Sequence, residues 1–152
     1  MSAELVFMMG NYEAAFPTDR RYAKNHMWVS QSSSSTVRVG LSAYAVRLLQ
    51  DVYFLDLTIE AGMTVSSKQE IGSIESKKAE SSLYSPAAGK IVRINETLID
   101  DPTGINLDKY GEGWLFEMEA DATLFLDPEA YLEHLNAAWD VAQRTIKGQA
   151  NA

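Results

Sequence analysis

The stretch that decides the fold reads Ile74-Glu75-Ser76-Lys77-Lys78-Ala79-Glu80 and continues through Leu83-Tyr84-Ser85-Pro86 to Gly89. Two lysines lie between two glutamates, and apolar residues follow a few positions away on either side. Serine, proline and glycine separate the short apolar runs, which is typical of strands joined by turns. The pattern predicts two short strands that meet at a turn, with Lys78 near its tip.

Short strands spaced by roughly ten residues continue on both sides of this turn. Upstream, the sequence predicts strands at residues 26–30, 36–40 and 52–57. The aromatic and β-branched composition of the third predicts that it is largely buried. Downstream, strands are predicted at residues 90–95 and 114–118. Repeated strand–turn units of this kind indicate a mainly β fold, either a barrel or a sandwich.

Two helices are predicted to accompany the strands. Ser42 is placed to cap a short internal helix, in which residues 45–49 form an apolar face. Asp127-Pro128 is typical of a helix start, because an N-cap acid precedes proline at the first helical position. Apolar residues then recur at helical spacing across residues 131–146. We therefore expect a C-terminal helix that packs on the β core and ends near Gly148.

The length of the chain suits one domain. Its 152 residues can bury a single core without disulfides or a metal, and no linker divides them. We predict a single domain over residues 22–152, preceded by an N-terminal extension over residues 1–21 that forms a strand or clasp. Residues 96–113, which contain several aspartates and glycines, are expected to form a long loop.

Composition argues against several classes of function. A formal net charge of −8 argues against nucleic-acid binding, which needs a basic surface. The absence of cysteine excludes disulfides, thiolate nucleophiles and zinc–cysteine or iron–sulfur sites. His26 and His134 match no metal-ligand spacing, so no metal site is predicted. No apolar run has the length of a membrane span and no secretory signal is recognisable, which predicts a cytoplasmic protein without a membrane partner.

The two lysines of the predicted turn have two interpretations. A solvated turn is the ordinary role of such charges. Alternatively, the turn presents one amine for modification, because a hairpin tip is open to a modifying enzyme and leaves an attached arm free to move. Side chains alternate along a strand, so Lys77 and Lys78 are expected to point differently, with only one at the tip. Ser76 and Ala79 are small and would not obstruct an incoming enzyme.

Residues 75–89 contain Glu-Ser-Lys-Lys-Ala followed by Leu-Tyr-Ser-Pro and then Gly. This pattern resembles the lipoyl-attachment site of the glycine cleavage system H protein family. The likeness extends collinearly over residues 22–140. Further segments that resemble the family are Lys-Asn-His-Met-Trp-Val at 24–29, Val-Gly-Leu-Ser-Ala-Tyr-Ala at 39–45, Asn-Glu at 95–96 and Tyr-Gly-Glu-Gly-Trp-Leu at 110–115.

The resemblance implies a barrel-sandwich hybrid fold, related to lipoyl and biotinyl domains, with lipoate amide-linked to Lys78. Glu75, Ser76 and Ala79 would be the other residues of the attachment motif, and His26 would line a groove that shelters the loaded arm. A protein of this family is a carrier rather than an enzyme, so no catalytic residue is expected.

The resemblance also implies partners. Lipoate ligase or lipoyl transferase would attach the arm. A pyridoxal-phosphate-dependent glycine decarboxylase would load the aminomethyl group, a tetrahydrofolate-dependent aminomethyltransferase would take the one-carbon unit, and dihydrolipoyl dehydrogenase would reoxidise the dithiol. The absence of cysteine fits this role, because a stray thiol would exchange with the disulfide of the arm.

The sequence departs from the family pattern beside the predicted tip. Lys77 replaces the usual apolar residue, Glu80 a small residue and Ser82 an acid, and Met27 also stands where an acid is usual. These departures leave open a second hypothesis, an H-like carrier that serves a sulfur-oxidising heterodisulfide-reductase-like complex. A third hypothesis is a binding module that has lost modification. A biotin acceptor is disfavoured, because such tips usually flank the lysine with methionines.

Other conspicuous residues also have ordinary interpretations. His26 is equally consistent with a structural histidine beside Trp28. Glu75 and Glu80 are interpreted as solvated or partner-recognition charges. His134 lies off the apolar stripe of the predicted C-terminal helix and is expected to be exposed.

Overall fold

A computed structural model describes residues 3–150, with side chains described as far as Gln143. Four helices lie within this range: α1 (Ala43–Leu49), α2 (Glu96–Asp100), α3 (Gly104–Leu107) and α4 (Pro128–Ala150), and a 3-10 turn spans Ala122–Leu124. The strands are β1 (Glu4–Met9), β2 (Tyr12–Pro17), β3 (Arg21–Tyr22), β4 (Met27–Gln31), β5 (Thr36–Leu41), β6 (Val52–Leu57), β7 (Thr64–Val65), β8 (Glu70–Ser76), β9 (Glu80–Tyr84), β10 (Gly89–Ile94) and β11 (Trp114–Glu119).

The strands form three antiparallel sheets. A six-stranded sheet has the order β3-β4-β5-β11-β10-β7, a three-stranded sheet has the order β6-β8-β9, and β1 pairs with β2 as a separate hairpin. The first two sheets bury a shared apolar core that includes Val39, Leu55, Ile74, Ile91 and Phe116. The predicted mainly β, barrel-sandwich architecture with a short internal helix and a C-terminal helix is confirmed, and the sheets do not close into one barrel.

A second, largely aromatic core joins the N-terminal hairpin to α4. Phe16 of β2 and Tyr131 of α4 are fully buried and meet edge to face, with ring centroids 5.4 Å apart. Tyr22 stacks on Tyr131 with a centroid distance of 4.7 Å. The hairpin therefore shares a core with residues of the predicted domain, although the division of the chain at residues 21 and 22 stays a prediction.

The start of α4 agrees with the sequence prediction. Asp127 accepts a hydrogen bond from the backbone N–H of Ala130 at 2.8 Å, as an N-cap carboxylate does. Tyr131 and Leu135 are buried on the predicted apolar stripe, whereas the side chain of Ile146 lies outside the described residues. The helix continues to Ala150 rather than ending near Gly148, because glycine weakens a helix without necessarily ending it.

Two predictions about the middle of the chain were wrong. Residues 52–57 form β6 as expected, but Tyr53 and Phe54 are 62% and 45% exposed. This happens because β6 lies at a sheet edge with one face toward solvent, so aromatic composition does not imply burial. Residues 96–113 are not a long loop: α2 and α3 lie within them, since Leu98 and Ile105 are buried in the main core.

Replacing Phe16 by alanine should lower the free energy of unfolding by roughly 3–5 kcal/mol, the usual cost of truncating a buried phenylalanine. Urea denaturation followed by tryptophan fluorescence measures this loss, because Trp28 lies in the same core. Val6→Ala is the matched control in the adjacent strand, where the side chain is 50% exposed. We expect the control to lose less than about 1 kcal/mol. Equal losses would contradict a structural role for the hairpin.

Candidate functional site

The two lysines lie in the turn that connects β8 to β9. The last paired residues of the two strands are Glu75 and Glu80, and the backbone N–H of Ser76 donates to the carbonyl of Ala79 at 2.9 Å. Lys77 and Lys78 follow the end of β8, and both are exposed. The sequence therefore folds as a hairpin whose tip presents two amines to solvent.

Ser76 organises the turn from its inner side. Its buried hydroxyl accepts hydrogen bonds from the backbone N–H groups of Lys78 and Ala79 at 3.3 and 3.1 Å. The same hydroxyl donates to the carbonyl of Ala79 at 3.0 Å. Serine is suited to this position because one small side chain can both accept and donate close to its own backbone. The backbone at Lys78 is thus held while its side chain is exposed.

The two lysines differ in how their backbones are held. The N–H of Lys77 donates to the carbonyl of Asp51 at 2.8 Å, which ties the turn to the segment that enters β6. Among the described residues, the N–H of Lys78 bonds only the Ser76 hydroxyl. The expectation that strand alternation separates the two lysines was wrong, because β8 ends at Ser76 and neither lysine belongs to a strand. The choice of Lys78 as the modified residue stays a prediction.

Glu75 and Glu80 are directly opposed across the hairpin. Neither carboxylate forms a salt bridge with another residue whose side chain is described. Like charges at directly opposed positions destabilise a strand pair. The end of the hairpin therefore carries two carboxylates and two amines, with no net formal charge.

A cleft of about 330 Å³ begins at the tip and runs along β9. Ala79 and Glu80 lie at its near end, and Asn25 and His26 are among its other lining residues. The apolar lining residues are Met27, Leu41, Ala45, Leu48, Leu49, Ile74 and Leu83. The tip and an apolar cleft are thus adjacent parts of the same surface, which is an arrangement that can hold a flexible apolar group attached at the tip.

His26 is the last residue before β4, and the backbone N–H of Ala23 donates to the carbonyl of Met27 at 2.8 Å, which closes a three-residue loop over residues 24–26. The backbone N–H of His26 donates to the carbonyl of Ala23 at 3.0 Å, and the backbone of His26 is left-handed, with a φ of 71°. A three-residue hairpin loop commonly needs a left-handed residue at this position. The ring packs at 4.4 Å from the Tyr44 ring, and its Nδ1 lies 2.9 Å from the Tyr131 hydroxyl. His26 is therefore both a wall of the cleft and a hydrogen-bonded structural residue.

Burial, and to a smaller extent the nearby ring of His134, lower the pKa of His26 to about 4. The imidazole is consequently neutral near pH 7. Its role in sheltering an arm stays a prediction, but its position beside the cleft is consistent with one.

Sequence reasoning missed the connection between Ser42 and Tyr131. Ser42 occupies the N-cap position of α1, but its side chain forms no cap hydrogen bond. Its hydroxyl instead lies 2.9 Å from the Tyr131 hydroxyl, so the prediction of a serine cap was wrong. The helical periodicity around Tyr131 indicated only a buried ring, and no pattern in the sequence pointed to the partner of its hydroxyl.

His134 is not simply exposed, as the sequence suggested. It is half-buried, a ring nitrogen lies 3.0 Å from the carbonyl of Lys24, and its ring centroid lies 5.6 Å from that of His26. The prediction failed because the β3–β4 loop packs against α4 and covers a helix face that periodicity alone assigns to solvent.

Among the described residues, no helix is both long and apolar enough to cross a membrane.

Comparison with known proteins gives a consistent result. The family model of the glycine cleavage H-protein matches residues 20–144. The glycine cleavage system H protein of Pseudoalteromonas atlantica is 44% identical over 119 residues, which cover 76% of this chain and 92% of that protein. The corresponding protein of Stenotrophomonas maltophilia is 40% identical over 123 residues, covering 78% and 93%.

A solved structure is also similar. The crystal structure of a glycine cleavage system H protein from Mycobacterium marinum aligns with a TM-score of 0.69 and 36% sequence identity. The alignment covers 80% of this chain and 99% of that one.

Ser76→Ala should loosen the turn, because the N–H groups of Lys78 and Ala79 lose their acceptor. We expect faster hydrogen exchange at these two amides and a loss of about 1–2 kcal/mol in the free energy of unfolding. Ser81→Ala is the control, since among the described residues the exposed Ser81 hydroxyl bonds only the carbonyl of Ser82, at 3.3 Å. Unchanged exchange at Lys78 and Ala79 in Ser76→Ala would contradict this role of Ser76.

Proposed function

Because the chain belongs to the glycine cleavage H-protein family, we propose that it carries lipoate on Lys78 and moves the aminomethyl group of glycine between enzymes. Members of this family are carriers, so the chain itself is not an enzyme. The observation that carries the proposal is the exposed amine of a turn whose backbone is fixed, directly beside an apolar cleft.

The residues at the tip fit an amide-linked arm. The Lys78 side chain is exposed, so a modifying enzyme can reach its Nζ. Ala79 adds only a methyl group next to it, and the side chain of Ser76 is turned inward to bond the turn. Once attached, lipoate supplies a disulfide as its reactive group, and the cysteine-free chain contains no thiol that would exchange with it.

The fixed backbone and the flexible side chain have separate roles. Hydrogen bonds from the Lys78 N–H to the Ser76 hydroxyl and from the Lys77 N–H to the Asp51 carbonyl keep the attachment point at a constant place on the surface. Rotation about the lysine side chain then lets the arm reach different partners. A rigid base with a mobile extension suits a group that must visit several enzymes in turn.

The cleft would shelter the arm between visits. Leu49 and Leu83 provide apolar walls that exclude water from a bound group. His26 adds a neutral polar group to these walls, because burial keeps its pKa well below 7. Glu80 at the near end places the only carboxylate of the lining next to the tip.

The proposed partners follow from the family. A lipoate ligase or lipoyl transferase attaches the arm, a glycine decarboxylase loads the aminomethyl group, an aminomethyltransferase passes the carbon to tetrahydrofolate, and dihydrolipoyl dehydrogenase restores the disulfide. Glu75 and Glu80 lack partners of opposite charge among the described side chains, which favours contact with basic residues of such enzymes. A cytoplasmic location stays a prediction.

Site-specific attachment can be tested by co-expression with a lipoate ligase. We expect intact mass to show one lipoyl adduct and peptide fragmentation to place it on Lys78, because this residue matches the family lysine. Lys78→Arg should abolish the adduct, whereas the matched variant Lys77→Arg should keep it. An adduct on Lys77, or an unmodified wild-type chain, would contradict the proposed site.

The pathway can be tested by glycine–bicarbonate exchange with a glycine decarboxylase. The lipoylated chain should support exchange, and Lys78→Arg should reduce it to background because no arm is present. A known H protein at the same degree of lipoylation is the positive control. If that control is active and the fully lipoylated chain is not, the result would favour the sulfur-oxidation carrier over glycine cleavage.

A further inference from the structure

Three polar groups meet behind the wall of the cleft. The Tyr131 hydroxyl lies 2.9 Å from His26 Nδ1 and 2.9 Å from Ser42 Oγ. Tyr131 and Ser42 have no solvent-exposed surface. The backbone reinforces the group, because the N–H of Ser42 donates to the carbonyl of His26 at 2.9 Å. Residues from the β3–β4 loop, the start of α1 and α4 are thus joined in one network.

All three side chains are uncharged near pH 7. Burial raises the pKa of Tyr131 far above its usual value, so its hydroxyl keeps its hydrogen. Burial lowers the pKa of His26 to about 4, so its imidazole carries one hydrogen, either on Nδ1 or on Nε2. The positions of these hydrogens follow from the requirement that buried donors find acceptors.

Only one arrangement gives every buried hydroxyl hydrogen an acceptor. In it, Ser42 donates to the Tyr131 oxygen, and Tyr131 donates to Nδ1 of His26. If Nδ1 carried the hydrogen and donated to Tyr131, then one hydroxyl hydrogen would have no acceptor. The hydrogen left over would belong to Ser42 or to Tyr131. Neither hydroxyl has an acceptor outside this network among the described residues. The hydrogen of the imidazole is therefore on Nε2.

Nε2 is available to a ligand. It has no hydrogen-bond partner among the described residues. It is also not among the buried, unpaired side-chain atoms of those residues, so it is accessible to solvent. His26 lines the cleft beside the tip, so the accessible nitrogen belongs to the cleft wall. We propose that Ser42 and Tyr131 are positioning residues that fix His26 with its hydrogen on Nε2, so that the cleft offers a hydrogen-bond donor.

This assignment specifies which part of an occupant His26 contacts. A donor needs an acceptor, so His26 can bind only a hydrogen-bond acceptor of an arm that lies in the cleft. An ammonium group has only donors, so a protonated amine on a loaded arm would not be held by His26. The tautomer assignment concerns the unmodified chain alone, whereas the contact of His26 with the arm rests on the proposed function.

Imidazole nitrogen NMR of the unmodified, ¹⁵N-labelled chain tests the tautomer at pH 7. Two-bond correlations should show hydrogen on Nε2 of His26 and a bare Nδ1. Tyr131→Phe keeps the ring packing but removes the donor, and it should lower the ratio of the Nε2–H to the Nδ1–H form by about fivefold or more. A wild-type chain with hydrogen on Nδ1 would overturn the proposal.

Tyr44→Phe is the matched control, because it removes a phenolic hydroxyl from the other tyrosine ring that packs on His26. Tyr44 has no hydrogen bond to the imidazole, so the tautomer ratio should stay at the wild-type value. The role of Tyr131 would be overturned if the tautomer ratio fell equally in both variants while near-ultraviolet circular dichroism showed native packing.

The contact with the arm is tested separately on the lipoylated chain. Attachment should move the Nε2 resonance of His26 in the wild type and move it less in Tyr131→Phe. An unchanged resonance in a fully lipoylated sample would overturn the contact. Failure of the proposed function itself would appear as a missing adduct on Lys78, while the tautomer would still be measurable in the unmodified chain.

Discussion

Satisfying one buried hydroxyl, that of Tyr131, constrains much of this structure. The ring of Tyr131 is held by Tyr22 and Phe16, so α4 and the N-terminal hairpin are fixed together at this point. A phenol buried so deeply needs hydrogen-bond partners, because an unpaired polar group in a core is costly. Ser42 and His26 provide them, and in doing so they bring the start of α1 and the β3–β4 loop to the wall of the cleft.

The tip and the cleft share strand β9. Ala79, next to Lys78, also lines the cleft, so an arm attached at the tip would begin where the cleft begins. At the other end of β9, the amide of Asn25 donates to the carbonyl of Tyr84 at 3.0 Å. The β3–β4 loop and the hairpin are therefore held in register, and the distance from the attachment point to His26 is set by a rigid strand.

Periodicity and turn chemistry were enough to predict the hairpin, most strands and the start of α4, because these depend on local spacing. The same reasoning failed for Tyr53 and Phe54, since the sequence does not show that β6 lies at a sheet edge. It also failed for Leu98 and Ile105, whose short helices form because tertiary burial outweighs a loop-like composition. At the site, ordered motifs predicted an attachment lysine, whereas the partner of Ser42 depends on a contact 89 residues away.

The left-handed backbone of His26 has a consequence for how stability and function are balanced. A non-glycine residue in that region costs roughly 1 kcal/mol, and a glycine or asparagine would adopt the same loop with less strain. Neither could present an imidazole to the cleft. At this one position, the requirement for a relaxed backbone and the requirement for an imidazole in the cleft wall therefore act in opposite directions.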